Sequence, residues 1–417
     1  MASTAKPVWM PRRASTSAGS GRAKRRRIVS SGGSSIMAHP IWRRADRPGR
    51  TLYCPTKARQ QRGEDIMRLI EPRPLTEIVE RIFAAGGCGA EEAGRIARHL
   101  VDSNLCGHDS HGVVRTKRYI DFLRAGTVVP GRSADLVFDG GSLLVVDGQF
   151  GFGQTIGEQA TDLLAERAKA HGIALVTIRR SGHLGRLGDW AERLAGHGLV
   201  SLHFLNTTGL GLMVTPFGGS DRRLSPSPMA VCVPVEGRAP ILLDITTAMT
   251  AEGKLLVAKN KGEAVGPGII VDKSGRPTTD PADFYAGGAI LPFGGHRGAG
   301  LNILTDILSG ALSGGGCTAP GVTVLENTMT SIAIDVNRLP DRAAYTAEIL
   351  RFCDWVKASP PADPAAPVLL PGEVEAATRR RRAADGIPID DATWGDIRAA
   401  AQSAGLSEAE IEAMVPA

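Results

Sequence analysis

The densest chemistry in this 417-residue chain lies in two short segments, Gly107-His108-Asp109-Ser110-His111-Gly112 and Ser181-Gly182-His183-Leu184-Gly185. An imidazole titrates near neutral pH and can both give and take a proton there. The glycines around His183 let backbone approach a ligand closely. A loop histidine that merely caps the next helix would look the same. Two His, an Asp and a Ser in the first segment can bind a metal, relay protons or anchor a cofactor. A metal is disfavoured, because the H-x-x-H spacing falls in a loop without a further ligand cluster. Termination of a helix at a Gly turn is the ordinary alternative. Arg115 follows His111 by four residues, and a guanidinium clamps a carboxylate through two parallel hydrogen bonds or sits in a surface ion pair. Asp244, closing the run Ile241-Leu242-Leu243, suits a ribose contact, a His-orienting role or a cap on the following helix. Pro216–Gly219 and Gly294–Gly298 are Gly-rich turns, and the second opens an apolar helix. Its free N–H groups and dipole suit a phosphate, with Arg297 adding charge; simple capping is the alternative.

These residues need elements to hold them. Apolar spacing predicts helices over 75–85 and 90–105, split by Gly86-Gly87, then a polar loop at 107–112 and a helix over 116–124. A short strand is expected at 143–146. A helix at 154–171, a strand at 173–178, a loop at 179–188, a helix at 189–196 and a strand at 199–205 follow. This order implies parallel strands with a helical crossover and places His183 at a strand's carboxyl end, where open α/β sheets bind ligands. Strands at 229–234 and 240–244 precede a helix near 248–259 and a Gly/Pro/Asp-rich stretch to 298. The rest reads as an apolar helix at 300–313, a strand at 330–336, a helix at 341–357, a Pro-rich linker at 359–371 and final helices near 391–404 and 407–414. No Gly-x-Gly-x-x-Gly follows a strand and opens a helix. Gly151-Phe152-Gly153 lacks the spacing.

The net charge of +6 misleads. Residues 1–66 carry 15 Lys/Arg against 3 Asp/Glu, whereas the rest carries 34 against 40 and is mildly acidic. A nucleic-acid footprint on the folded part is therefore not expected. The segment reads as a disordered basic tail, or as sequence upstream of a natural start at Met67; the run Lys24–Arg27 also suits a localisation signal or a nucleic-acid arm. Nothing approaches eighteen consecutive apolar residues, so no membrane span is expected. The six cysteines (54, 88, 106, 232, 317, 353) match neither a zinc site nor a disulfide framework, and free thiols in a cytoplasmic protein are the simplest reading.

Taken together and in order, the segments GHDSHGVVR (107–115), SGHLGRLGDWAE (181–192), TPFGG (215–219), LLDITTAMTAEGK (242–254), FGGHRGAGL (293–301), ILSGALSGG (307–315) and LLPGEVEAATRRRRAADGIPID (369–390) resemble the malate/L-lactate dehydrogenase (sulfolactate dehydrogenase-like) family. VKASP (356–360) and the closing segment look most like its hydroxycarboxylate dehydrogenase branch. The resemblance implies an α/β fold that binds NAD or NADP without a Rossmann fingerprint, with a mixed sheet flanked by helices and helical N- and C-terminal regions. It divides the chain into the tail (1–66), an N-terminal helical region (67–140), a cofactor-binding and catalytic domain (141–320) and a C-terminal strand and helical arm (321–417). It implies a homodimer that transfers hydride between a nicotinamide and a 2-hydroxy or 2-oxo acid.

By the same resemblance His183 is the acid/base, with His111 beside it lining cofactor and substrate. Ser110 and Arg115 are the expected substrate contacts. The implied cofactor contacts are Gly185, Arg186, Leu187, Thr207, Leu242, Leu243, Asp244, Ile245, Thr246, His296, Arg297, Asn327, Gly372, Glu373, Val374 and Glu375; no metal is implied. Two departures stand out. Leu224-Ser225-Pro226-Ser227-Pro228 replaces the family's usual L-G-T-N-P, and Arg297 with Ala299 replaces a Lys and a Tyr. Lys is a compact charge and Arg a planar fork, so that exchange is not neutral. Reduction of a cyclic imino acid on the same scaffold, an inactive family member, and nucleic-acid binding through the tail are the competing expectations.

Overall fold

The computed structural model describes residues 68–208 and 210–414. The expected tail, Met67 and Cys54 lie outside them. A short strand, β1 (Arg68–Ile70), leads into α1 (Pro72–Ala85) and α2 (Ala90–Leu105). Leu75, Ile78, Val79, Ile82 and Phe83 share one face of α1 and are all buried. Pro72 costs nothing in the first turn, where its missing N–H would have no partner. Two 3₁₀ turns, Asp109–His111 and Val113–Arg115, then carry the chain into α3 (Thr116–Arg124).

The main body follows: β2 (Asp135–Asp139), β3 (Leu143–Asp147), α4 (Gly153–His171), β4 (Ile173–Ser181), α5 (Leu187–Gly196), β5 (Leu199–Thr207), β6 (Pro228–Val233) and β7 (Ile241–Thr246). A small lobe contains α6 (Glu252–Lys261), β8 (Ile270–Val271), β9 (Pro277–Thr278), α7 (Pro281–Tyr285) and β10 (Ala289–Ile290). Next, α8 (His296–Asp306) runs into a π-helical turn at Ile307–Ala311, before β11 (Asn327–Asp335) and α9 (Arg342–Lys357). The described chain closes with α10 (Glu373–Asp385), β12 (Ile387–Ile389), α11 (Asp391–Ala404) and α12 (Glu408–Glu412).

Seven strands form one mixed sheet in the order β2-β3-β4-β11-β5-β6-β7, with β3 and β4 its parallel pair. The sequence leads one to expect β4 and β5 as parallel neighbours. They do run in the same direction, but β11 lies between them and pairs antiparallel with both. The helix-strand order fixes strand direction; the strand that fills the gap arrives more than a hundred residues later. β11 is buried along most of its length, as a central strand must be. Helices α4 and α5 cover the sheet through Ile156, Leu164, Trp190 and Leu194. A second core joins α1, α2 and α3 to α11 through Phe83, Leu100, Tyr119, Trp394 and Ile397. Each such side chain contributes about 1.5–3 kcal/mol on burial. Here the C-terminal arm folds back to the N-terminal helices, and β12 pairs with β1.

The 13-residue helix α10 is absent from the sequence-based element list. It has no buried residue and so no apolar stripe to read. Ion pairs hold it instead: Arg379 binds Asp102 and lies 2.9 Å from Cys106 Sγ, and Arg382 binds Asp109 at 2.5 Å. Among the described residues no helix is long and apolar enough to cross a membrane, and Cys88, Cys106, Cys232, Cys317 and Cys353 are free thiols.

Candidate active site

His183 sits two residues beyond the carboxyl end of β4. Its loop is held through several backbone polar groups. Gly182 N–H donates to Gly151 O (2.9 Å), Gln154 Nε2 to His183 O (3.3 Å), Leu184 N–H to Asn327 Oδ1 (2.9 Å) and Trp190 Nε1 to Leu184 O (3.0 Å). A Cβ on Gly153 would overlap His183 O. Gly151-Phe152-Gly153, which fails as a dinucleotide fingerprint, is thus the platform on which the His183 loop rests.

Three elements meet at the His183 ring. His111, from the first 3₁₀ turn, stacks on it with centroids 5.6 Å apart at 16°. Tyr119, from α3, places its hydroxyl 2.6 Å from His183 Nδ1. Gln154, from the first turn of α4, donates to that hydroxyl at 3.3 Å. Arg115 donates through Nε to Ser110 O at 2.6 Å, and Ser110 Oγ lies 3.1 Å from His111 Nδ1. Arg115 forms no ion pair among the described residues, so the surface salt bridge that its sequence also allows is not made.

Burial, reinforced by the Arg115 charge, pushes His183 well below 6.5 and His111 down to about 3. Burial also lowers Arg115 and raises the Tyr119 phenol to about 12. At neutral pH both imidazoles are therefore uncharged and the phenol keeps its proton. The Tyr119 oxygen accepts from Gln154 and still has a lone pair for His183 Nδ1–H, the tautomer that leaves Nε2 free to take a proton. Tyr119 and Gln154 escape sequence reasoning. One signal was available: Tyr119 lies one helical turn after Arg115, on the same face.

A second group of residues lines β7. Asp244 lies within that strand, not at its end, and caps α5, not the helix that follows it: Gly188 N–H donates to its carboxylate at 2.7 Å. Burial raises Asp244 above the usual carboxylate range against the opposing pull of His108, Arg186 and the Gly188 amide. At the start of β7, Leu242 N–H bonds Pro371 O (3.3 Å), and Gly372, at φ +90°, packs on Leu242. Glu373 binds Lys357, and Glu375 lies 3.7 Å from His108, whose hydrogen bond holds it below its usual range. At the far end Phe293 N–H bonds Thr247 O (3.1 Å), which brings in the start of α8 with His296 and Arg297. Both are exposed, and His296 meets Phe217 edge-on. Leu243, Ile245 and Thr246 complete the strand, and Val374 stands exposed beside it in the arm.

The Ser225-Pro226-Ser227 departure is built in. Ser225 and Ser227 hydroxyls bond each other (2.9 Å), Asn302 donates to Ser225 O (2.8 Å), and Thr246 and Thr247 bond the carbonyls of Pro226 and Ser227. Two of the expected cofactor contacts are already committed within the protein. The Arg186 side chain is fully buried, bonded to Asp189 (2.5 Å) and Glu192 (2.8 Å). The Asn327 amide ties Leu184 to Thr207 Oγ1 (3.1 Å) and Asn206 O (3.2 Å). Asp102, Cys106 and Glu192 lie close enough to share a cation, but Arg379 and Arg186 already engage them.

β7 thus ties together the start of α5, through Gly188, and the C-terminal arm, through Pro371 and Gly372. The backbone N–H groups and carboxylates gathered there are of the donor and acceptor types that a dinucleotide uses.

A mixed α/β sheet without a Rossmann fingerprint thus carries a histidine–tyrosine–arginine corner. Residues 70–398 match the model of the malate/L-lactate dehydrogenase family, and the chain belongs to that family. Hydroxycarboxylate dehydrogenase B of Escherichia coli O157:H7 is 39% identical over 352 residues, covering 82% of this chain and 96% of that protein. Sulfolactate dehydrogenase of Methanocaldococcus jannaschii superposes with a TM-score of 0.75 at 29% identity, over 83% and 99% of the two chains. Δ1-piperideine-2-carboxylate reductase of Pseudomonas syringae gives 0.71 at 27% identity, over 80% and 99%.

Proposed function

We propose that the chain is an NAD(P)-dependent 2-hydroxy acid dehydrogenase that also runs as a 2-oxo acid reductase: 2-hydroxy acid + NAD(P)+ ⇌ 2-oxo acid + NAD(P)H + H+. The observation that carries this reading is a neutral His183, hydrogen-bonded to Tyr119, beside the desolvated guanidinium of Arg115. A proton carrier next to a carboxylate binder is what a 2-hydroxy acid requires.

In the oxidation direction the hydroxyl proton passes to His183 Nε2 while Nδ1–H donates to the Tyr119 oxygen. In reduction the resulting imidazolium returns its Nε2 proton to the carbonyl oxygen and keeps Nδ1–H on the Tyr119 oxygen. Positioned proton transfer of this kind is worth roughly 10²–10⁴-fold in rate. Arg115 and Ser110 hold the substrate carboxylate, and His111 walls the site. When bound, the nicotinamide supplies or accepts the hydride. Gly185–Leu187, Thr207, Leu242–Thr246, His296, Arg297 and Gly372–Glu375 hold the cofactor. Arg186 and Asn327, whose polar groups are engaged within the protein, act there by fixing the loop.

A panel of 2-oxo acids assayed with NADH and with NADPH tests the proposal and selects the cofactor; no turnover across the panel overturns it. The likeness to the piperideine-2-carboxylate reductase supports a second reading, reduction of a cyclic imino acid. Comparing phenylpyruvate with Δ1-piperideine-2-carboxylate separates the two. The assembly proposed is a homodimer, which light scattering checks.

A further inference from the structure

Behind the His183 loop, on the side away from Tyr119, stands a histidine that the reaction does not use. His99 belongs to α2 and is buried. Its Nε2 lies 3.1 Å from the Arg186 backbone nitrogen and accepts that N–H. Its Nδ1 lies 3.0 Å from Asp189 Oδ2, and the ring stacks on Trp190 with centroids 5.0 Å apart. Gly185 passes so close, at φ +73°, that a Cβ would overlap His99 Nε2. An imidazole nitrogen can accept a hydrogen bond only while it lacks a proton. The Arg186 amide therefore fixes the His99 tautomer, with the proton on Nδ1 directed to Asp189.

We propose that His99 is a positioning residue: its Nε2 holds the Gly185–Arg186 backbone and, through it, the loop that carries His183. The Asp189 carboxylate that faces Nδ1 is itself held by the Arg186 guanidinium, with Glu192 and Asp102 paired behind it. Without the Nε2 acceptor the Arg186 N–H loses its partner and the loop is free to shift, and displacements near 1 Å at an active site cost about 10²-fold in rate.

This inference rests on the proposed reaction, but its test has an arm that does not. His99→Gln places an amide oxygen near the Nε2 position without a titrating group, and His99→Leu removes the acceptor. Hydrogen exchange of the peptide spanning 183–187, corrected for the intrinsic rate, is expected to be slow at neutral pH in the wild type and in His99→Gln. It is expected to be fast in His99→Leu. In turnover assays His99→Leu loses roughly ten- to a hundredfold in kcat, while His99→Gln stays within a few-fold of wild type. Equal protection of this peptide in all three proteins at every pH overturns the proposal, whatever the enzyme's substrate. Absence of turnover in the wild type, with the exchange pattern as expected, overturns the reaction and leaves the positioning role supported.

Discussion

At the His183 corner the backbone of residues 182–186 is gripped by Gly151, Gln154, Asn327, Trp190 and His99. In the region carrying His296 and Arg297 only the tips of the two turns are open: a Cβ on Gly218 or Gly294 would meet nothing within 4 Å, whereas Gly219 and Gly298 are closely packed. The lobe beside it has only a small core, Val214, Ala248, Leu255, Ile270, Phe284 and Ile290. One part of the proposed site is therefore preorganised, with much of its loop backbone already hydrogen-bonded. The other offers exposed side chains on a lightly packed support. Preorganisation favours the chemical step, because donors need not reorient during reaction. Exposed residues on small cores favour adjustable binding, since their conformations cost little to change.

The comparison can be broken by experiment. The largest effect expected is at His183. Replacing it with Ala should lower turnover by roughly 10²–10⁴-fold while NADH binding, followed by fluorescence, survives; unchanged turnover removes the histidine from the mechanism. Arg115→Met should lower kcat/KM for a 2-oxo acid roughly a hundredfold, as loss of a charge-assisted carboxylate contact does. It carries a second signature. The Arg115 charge helps to hold His183 below 6.5, so removing it favours the imidazolium. The acid limb of the oxidation rate should move to higher pH, and a limb that stays put contradicts the electrostatic account.

Two glycines measure the difference in rigidity. Gly185→Ala meets both a positive φ and His99, and should cost about 3 kcal/mol or more in urea unfolding. Gly294→Ala, at φ +60° in open space, should cost only the left-handed strain of about 1–2 kcal/mol. Equal costs would erase the contrast.

Acid stability probes the sheet below the corner. Burial pushes His203 down to about 3, between the hydroxyls of Ser201 and Ser331. The unfolded chain takes up that proton first. Stability is thus complete above pH 6.5 and is lost as the pH falls from 6.5 towards 3, by a few kcal/mol. His203→Gln should flatten that slope in denaturant titrations at stepped pH. The smallest effect is expected at Arg297→Lys. The side chain is exposed, so stability should change by less than about 0.5 kcal/mol, and any consequence should appear in the KM for cofactor.

Much of this molecule was legible before folding. The helices at 90–105, 116–124 and 391–404 stand where apolar spacing puts them, because a buried stripe leaves a periodic trace in the sequence. His183, His111 and Arg115 were marked by residue type and by resemblance, and the structure brings all three to one corner. Boundaries set by polar residues were harder. β11 begins at Asn327, three residues before its apolar run, and α8 begins at His296, directly after two glycines with positive φ.

What the sequence determined by itself is therefore local: periodicity, turn chemistry and the presence of His183 on a glycine-rich loop after a strand. Tertiary structure alone decided that β11 fills the space between β4 and β5, and that Asp244 caps α5 from across the sheet. It also decided that Tyr119 faces His183 Nδ1 and that His99 stands behind the loop. Each of these pairs residues dozens to more than a hundred positions apart. Such contacts depend on where whole elements pack, and no short window of sequence records that.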